Sequence, residues 1–160
     1  MQAHQGRLRR LCELLLGDKQ EAEEIVQDTF MKAYEAWTGA SAPDDWGAWL
    51  TRVAVNACRD RRRAGWWIRF RRRTDHIDDM PLAASDPNPS EAASGAETRQ
   101  HIWVAFRELP DRQREVFVLR HIEERSTEEV AEVLGLSQGS VKRHLFRAIR
   151  SLRKRLGDAR

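Results

Sequence analysis

Polar and basic side chains crowd one helical segment near the end of the chain, directly after a pattern of small and apolar residues. Gly135 follows a short helical segment, Leu136 can plug a turn, and Ser137 can cap the helix that comes next. One face of that helix is apolar, and the first turns of its other face carry hydrogen-bond donors suited to base edges: Ser140, Lys142, Arg143, His144 and Arg147. This order predicts a helix-turn-helix whose second helix reads duplex DNA.

Charge is distributed unevenly along the chain, although the formal net charge is only +3. Acidic residues concentrate at 18–28, arginines at 59–73, and a second basic run occupies 142–155. A single basic block is usually a solvated helix face. Two such blocks, each beside a helix with its own apolar face, favour a polyanionic partner.

Several classes of protein are disfavoured by the composition. The sequence has no run of about 18 apolar residues and no apolar stretch of the signal-peptide type, so we expect no membrane insertion and a cytoplasmic location. Cys12 and Cys58 are far apart in helical contexts and are expected to be buried, reduced thiols. The histidines share no metal-ligand spacing with these cysteines, and no phosphate-binding glycine loop occurs. We therefore expect no metal, no cofactor and no catalytic residues, and a protein that is not an enzyme.

Helical periodicity dominates the chain, which predicts an all-α protein with two small helical domains and a flexible linker. A first helix is expected at 5–16, and Gly17 and Asp18 are placed to end it and to cap a second helix. The second helix has an acidic face and one apolar stripe that contains Val26, Phe30, Ala33, Tyr34 and Trp37.

A third helix is expected to begin near Trp46, after a loop at 39–45, and to end in the arginine run at 59–63. Trp49 falls on its apolar stripe and is assigned to the core, whereas Trp46 is more open. Prolines and glycines then interrupt every helical period, which predicts a linker at 69–97 between a domain at 1–68 and a helix-turn-helix domain at 98–160. A random coil of this length reaches roughly 25–30 Å, so the two domains could sit well apart on one extended partner.

Two blocks of this sequence resemble regions of bacterial sigma factors. The segment 109–117, LPDRQREVF, followed by the predicted helix-turn-helix, is similar to their region 4. The segments 17–37 and 48–56, the latter reading AWLTRVAVN, are similar to their region 2. The blocks occur in the family's order with only a linker between them, so the chain resembles the extracytoplasmic-function group of the sigma-70 family.

The resemblance implies a promoter-specificity subunit of RNA polymerase, serving a stress or envelope response and without catalysis of its own. Its helix-turn-helix would read the −35 promoter element and contact the polymerase flap. Its acidic second helix would dock on the clamp of the largest polymerase subunit, through Glu24, Gln27, Asp28, Phe30 and Lys32. The resemblance also implies an anti-sigma factor that masks the polymerase-binding surfaces.

By the same resemblance, the third helix and the loop before it would engage the −10 element and hold the unpaired non-template strand. Aromatic faces stack on unpaired bases and arginines follow phosphates, so the composition suits this task. The residues at these positions are Trp46, Arg52, Asn56, Arg59 and Arg62.

Some alternatives stay open at the level of sequence. Gly65–Arg73 could continue the third helix, lie near nucleic acid in the polymerase cleft, or cover a domain face. The family usually has about ten more residues before the first helix, so either some contacts of that edge are missing here or the start of the sequence is trimmed. The alternative function is a stand-alone helix-turn-helix regulator whose N-terminal domain senses a signal or dimerises. Such a regulator would bind a specific duplex tightly without polymerase, whereas a sigma factor alone would bind weakly.

Overall fold

The computed structural model describes residues 2–73 and 92–157, and the regular elements within these ranges are all helices. This confirms the predicted all-α class. Three helices form the N-terminal domain and four form the C-terminal domain, where one π-helical turn, Val118–Ile122, continues the fifth helix. The helices are α1 (Gln2–Leu16), α2 (Lys19–Thr38), α3 (Trp46–Arg73), α4 (Ala92–Arg107), α5 (Asp111–Phe117), α6 (Thr127–Leu134) and α7 (Gln138–Gly157).

The N-terminal domain packs α1, α2 and α3 around one apolar core. Leu11 of α1, Val26 of α2 and Val55 of α3 are at most 1% exposed. Cys12 and Cys58 belong to the same core, so their predicted burial is confirmed. The hydrogen bond between the Cys58 and Cys12 thiols, together with burial, raises the pKa of Cys58 and keeps it neutral.

The turn between α1 and α2 is made by Gly17 and Asp18, as the sequence predicts. Gly17 has a φ of +76°, in the left-handed region that favours glycine. The carboxylate of Asp18 accepts a hydrogen bond from the backbone N–H of Glu21 at 2.9 Å. The two residues therefore end one helix and cap the next within a single turn.

The C-terminal domain packs α7 across α5 and α6. Val116, Leu119, Val130, Val141 and Ala148 are all fully buried, so each of the contributing helices gives one apolar stripe to a shared core. This core fixes the rotation of α7 about its own axis, and hence the choice of side chains that reach solvent.

Helical structure extends further into the predicted linker than the sequence suggests. α3 continues through the arginine run and Gly65 to Arg73, and α4 already begins at Ala92. Arginine and alanine are strong helix formers, which favours both extensions. Residues 74–91 of the predicted linker lie outside the described residues, and the domain boundaries stay a prediction.

The two domains pack directly against each other, although the linker length would allow them to lie apart. α3 contacts α6, and α1 contacts α5 and the π-helical turn. Arg107, at the end of α4, donates hydrogen bonds to the carbonyl oxygens of Leu14, Leu15 and Leu16 at 3.2, 3.2 and 2.9 Å. These carbonyls end α1, where a positive charge is favourable. The domains are thus joined by complementary polar groups.

Two further features bear on function. Within 2–73 and 92–157, no helix is long and apolar enough to cross a membrane. The same ranges bring together no group of three or more potential metal ligands among histidine, cysteine and acidic side chains.

Candidate nucleic-acid interfaces

The helix-turn-helix is formed by α6, a tight turn and α7, as predicted. The Ser126 hydroxyl accepts the N–H of Glu129 at 3.1 Å, and the Glu129 carboxylate accepts the N–H of Ser126 at 2.7 Å. The backbone N–H of Ser126 is the main cause that lowers the pKa of Glu129. Gly135 ends α6 at a φ of +64°, and the N–H of Leu136 donates to the carbonyl of Ala131 at 2.9 Å. This turn sets the direction in which α7 leaves.

α7 directs its donors outward because its opposite face is anchored in the core through Val141 and Ala148. The Ser137 hydroxyl accepts the N–H of Ser140 at 3.1 Å and caps the helix. The Arg143 guanidinium donates to the Ser140 hydroxyl at 3.0 Å, and Ser140 is half-buried. The long basic side chains proposed to read bases are exposed: Lys142, Arg143 and Arg147.

His144 does not point outward as the sequence analysis expected. It is half-buried, and its Nδ1 atom is buried. Burial, followed by the positive charges of Arg147 and Arg112, lowers its pKa. Residue 144 lies at the border between the outer and inner faces of α7, and helical spacing alone does not decide to which face a border residue belongs.

Phe146 is a candidate contact that the sequence analysis missed. Its side chain is 66% exposed, although phenylalanine is usually buried. It lies three residues after Arg143 and four after Lys142, and therefore on the same helix face. The signal was available in the sequence, because position 146 falls outside the apolar spacing of 141, 145, 149 and 152.

α3 presents Arg52 and Asn56 to solvent, where an unpaired strand could reach them. Trp46, in the first turn, is half-buried, with its ring in an edge contact with Trp49 at 5.7 Å between centroids. Both rings pack against the core, which confirms the assignment of Trp49 and leaves Trp46 less open than expected. Asp45 caps α3 by accepting a backbone N–H of the first turn at 3.0 Å, and this bond lowers its pKa.

Arg59 and Arg62 were expected to face DNA, but in this conformation they face the other domain. Both guanidinium groups donate to the carboxylate of Glu115 in α5, Arg59 at 3.3 Å and Arg62 at closer range. Arg112 donates to the same carboxylate at 3.1 Å. The Glu115 side chain is only 1% exposed, so nearby cations are needed to offset its lost hydration.

The acidic face of α2 is exposed. Glu24 accepts a hydrogen bond from Arg61 of α3 at 2.9 Å, and this bond raises the pKa of Arg61. Phe30 is half-buried at the edge of the face. The remaining candidate docking residues are exposed: Gln27, Asp28 and Lys32.

The second half of the predicted apolar stripe of α2 lies at the surface and not in the core. Tyr34 and Trp37 are 58% and 67% exposed, and the neighbouring Met31 is 65% exposed. The buried residues of α2 end at Ala33, because the core of the domain covers only the first part of this long helix. With Phe30, the three exposed side chains form an apolar surface, here named the α2 groove, beside the acidic face. Exposed apolar patches of this kind mark interaction sites.

Comparison with known proteins agrees with this arrangement of domains. Residues 1–68 match the family described as Sigma-70 region 2, and residues 99–152 match the family described as Sigma-70, region 4. The ECF RNA polymerase sigma factor SigW of Bacillus subtilis is 29% identical over 97% of this chain and 86% of its own length. The RNA polymerase sigma-E factor of Streptomyces avermitilis is 31% identical over 98% of this chain and 82% of its own length.

Solved structures share the fold. The sigma factor RpoE in complex with the anti-sigma factor NepR from Bartonella quintana has a TM-score of 0.72 and 23% identity, covering 98% of this chain and 93% of that chain. CnrH in complex with the cytosolic domain of CnrY has a TM-score of 0.65 and 26% identity, covering 98% of this chain and 84% of that chain.

A three-helix domain followed by a helix-turn-helix domain, each matching its own sigma region, defines a sigma factor. This chain belongs to the sigma-70 family of RNA polymerase sigma factors, in the extracytoplasmic-function group. It is therefore a promoter-specificity subunit, which binds core RNA polymerase, recognises −35 and −10 promoter elements and promotes DNA melting.

Proposed function

We propose that the outer face of α7 reads the −35 element of the promoters that this sigma factor recognises. The observation that carries the proposal is the geometry of α7, whose inner face is buried while Lys142, Arg143 and Arg147 extend from its opposite side. Arginine and lysine in this position can donate to O6 and N7 of guanine in the major groove. The later Arg150 and Arg153 would meet phosphates, which position a protein without reading sequence.

Three other α7 residues would complete this surface. Ser140, already aligned with Arg143, would donate to a base edge or a phosphate. Phe146 would make an apolar contact with a thymine methyl group. His144 would lie at the border of the interface, next to the phosphate backbone.

The face of α3 that carries the exposed Arg52 and Asn56 is proposed to hold the unpaired non-template strand of the −10 element, together with Arg59 once it is released from Glu115. Arg52, Asn56 and Arg59 follow each other at spacings of four and three, so they share one helix face. Trp46 would offer a ring for base stacking at the start of the helix, and Arg62 would contact a phosphate. Flipped bases regain stacking and hydrogen bonds in this way, which offsets the lost base pairing.

The acidic face of α2 and the α2 groove are proposed to dock together on the clamp of the largest polymerase subunit. Glu24, Gln27, Asp28 and Lys32 would supply polar contacts, while the apolar side chains beside them, Phe30 among them, would be covered by the partner. The C-terminal domain would contact the polymerase flap. Docking would make the DNA contacts effectively intramolecular and so raise the effective concentration of promoter DNA at α7.

Regulation by an anti-sigma factor is proposed for this chain too. Two proteins with the same fold, RpoE of Bartonella quintana and CnrH, were solved in complexes with NepR and with the cytosolic domain of CnrY. The exposed apolar side chains of the α2 groove would suit such a regulator. We infer that the chain works in the cytoplasm, serves a stress or envelope response, and has no catalytic activity of its own.

Transcription of genomic fragments by core polymerase, with and without this chain, tests the proposal when transcript starts are mapped by sequencing. We expect a set of new start sites that share −35 and −10 sequences. Asp28→Asn should lower the yield at all of them by weakening docking, whereas Arg143→Ala should change the preferred −35 sequence. The absence of any promoter-specific transcript would contradict the proposal.

The stand-alone regulator predicts a different result. It requires tight binding to a specific duplex without polymerase, whereas we expect the chain alone to bind duplex DNA weakly. A gel shift with one of the mapped promoters, with and without core polymerase, distinguishes the two.

A further inference from the structure

We infer that the carboxylate of Glu115 acts as an internal competitor for DNA phosphate, which keeps the free chain in a closed form with its −10 arginines occupied. The inference rests on the proposed role of Arg59 and Arg62 in holding the non-template strand, and it adds a mode of control within the chain itself.

The surroundings of Glu115 resemble those of a bound phosphate. Its Oε1 accepts from Arg62, and its Oε2 accepts from Arg59 at 3.3 Å and from Arg112 at 3.1 Å. Multiple guanidinium groups around one anion are the usual way in which proteins bind phosphate. Two of these cations belong to the N-terminal domain, while the carboxylate belongs to α5 of the C-terminal domain. The anion thus joins the two domains through the groups that DNA needs.

The arginines are incompletely satisfied in the closed form. Among the described residues, the buried Nε atoms of Arg59 and Arg62 have no hydrogen-bond acceptor, although a carboxylate oxygen of Asp111 lies 3.8 Å from the Arg62 Nε. A buried donor without an acceptor is costly. A DNA backbone offers several phosphate oxygens, so it can satisfy donors that a single carboxylate leaves unpaired.

Two further polar contacts hold the domains in the same arrangement. Arg107 caps the end of α1 from the C-terminal domain. Arg7 of α1 pairs with Glu123 and donates to the Thr51 hydroxyl at 3.0 Å, to which Arg125 also donates at 3.3 Å. We call the Glu115 cluster, the Arg107 cap and the Arg7–Glu123 pair the latch. These three polar contacts lie beside buried apolar residues of both domains, which belong to one continuous cluster.

The closed form lowers the affinity of the free chain for an unpaired strand. The apparent dissociation constant rises in inverse proportion to the fraction of open molecules. Removing a contact of the latch should then strengthen strand binding, even at a residue that never touches DNA. Glu123 meets this condition, since its partner Arg7 lies outside the proposed −10 surface.

Three variants of the full chain test the inference: Glu115→Gln, Glu123→Gln, and the control Glu132→Gln. Glu132 is exposed on α6, and its substitution makes the same charge change. Binding of a fluorescent twenty-nucleotide oligo-dT strand is followed by anisotropy, and domain separation by the radius of gyration in small-angle X-ray scattering. We expect Glu115→Gln and Glu123→Gln to bind about tenfold more tightly than the control and to have a larger radius of gyration.

Two results would overturn the inference: strand affinities of both latch variants equal to that of the control, or tighter binding with an unchanged radius of gyration. If Glu115→Gln does not fold, Glu123→Gln decides alone.

A failure of the proposed role of Arg59 and Arg62 in holding the strand gives a different result. A triple variant combines Arg59→Gln and Arg62→Gln with Glu123→Gln. It should lose the gain in strand affinity that Glu123→Gln alone shows over the control. If the gain persists while the radius stays large, the latch exists but these arginines do not hold the strand.

Discussion

Alanine substitution of two glycines separates the cost of a strained backbone from the cost of losing a contact between the domains. Gly17 and Gly135 have positive φ angles of +76° and +64°. A Cβ atom at Gly135 would meet nothing within 4 Å, whereas one at Gly17 would lie 2.7 Å from the guanidinium carbon of Arg107. Both substitutions therefore strain the backbone similarly, but only Gly17→Ala must displace Arg107 from the end of α1.

The expected magnitudes follow from these contacts. An alanine in the left-handed region costs roughly 1–2 kcal/mol, and this is the whole cost expected for Gly135→Ala. Gly17→Ala adds the loss of the hydrogen bonds that Arg107 donates to three carbonyl oxygens. Each charged hydrogen bond contributes about 1.5–3 kcal/mol when shielded from water, but Arg107 is half-exposed and water can replace part of the loss. We therefore expect Gly17→Ala to cost roughly 1–2 kcal/mol more than Gly135→Ala, because the hydrogen bonds of Arg107 are lost.

Urea unfolding of the full chain, followed by circular dichroism, measures both costs. A double-mutant cycle isolates the contact: once Arg107 is alanine, Gly17→Ala should cost no more than Gly135→Ala. Equal costs of the two glycine substitutions in the unmodified chain would contradict this prediction. So would additive effects of Gly17→Ala and Arg107→Ala, because additivity means that the two residues do not interact.

Three other predictions concern the helix-turn-helix domain. Ser126→Ala should lower the free energy of unfolding by about 1 kcal/mol, because it removes the hydroxyl half of the capping box with Glu129, and thermal unfolding checks this. The pKa of His144 is lowered from 6.5 in the folded chain. As pH falls through that value, the imidazole is therefore protonated in the unfolded chain before it is protonated in the folded chain. The free energy of unfolding should then fall below about pH 6.5, and urea titrations at several pH values should show a shallower fall for His144→Gln. In the polymerase complex, Arg143→Ala should weaken −35 recognition by about 1–3 kcal/mol, whereas Arg153→Ala should act weakly and without sequence preference. Equal effects of both substitutions on every duplex would contradict the assignment of base reading.

Features that depend on a few neighbouring residues could be predicted from the sequence. The capping box at Ser126 and Glu129 spans four positions, and the turns at Gly17 and Gly135 need only one residue that tolerates a positive φ. Each signal and its structural outcome lie within one helical turn. The order of the helices and the helix-turn-helix follow from such local signals, since each of them starts or ends a helix.

Exposure at the border of a helix face could not be predicted in the same way. Tyr34 and Trp37 continue the apolar stripe of α2, yet they lie beyond the part of the helix that the domain core covers. His144 is half-buried, and Arg112 and Glu115 of α5 lie close enough to influence its pKa. In both cases the outcome depends on where a neighbouring helix ends or crosses, and a periodic pattern in one helix carries no information about that.

The engagement of Arg59 and Arg62 by Glu115 also lies beyond the reach of sequence patterns. The partners are 56 and 53 residues apart, and they meet only because the two domains pack together. Glu115 itself gives no signal, since a single glutamate in a short amphipathic helix is ordinarily exposed. A pairing of this kind needs the relative placement of two domains, which local chemistry does not determine.

The pairing of Arg59 and Arg62 with Glu115 bears on how non-specific DNA binding by the arginines of α3 is limited in the free chain. Open arginine clusters bind any duplex through counterion release, and such binding would hold the free chain on DNA without regard to sequence. In the closed form Arg59 and Arg62 face Glu115 instead of solvent, so this non-specific contribution is reduced while the chain is free. The proposed docking of α2 on polymerase would supply binding energy that does not depend on these arginines, and promoter phosphates at high effective concentration would then displace the carboxylate. Specific binding would in this way be confined to the polymerase complex, where the −35 and −10 surfaces act together.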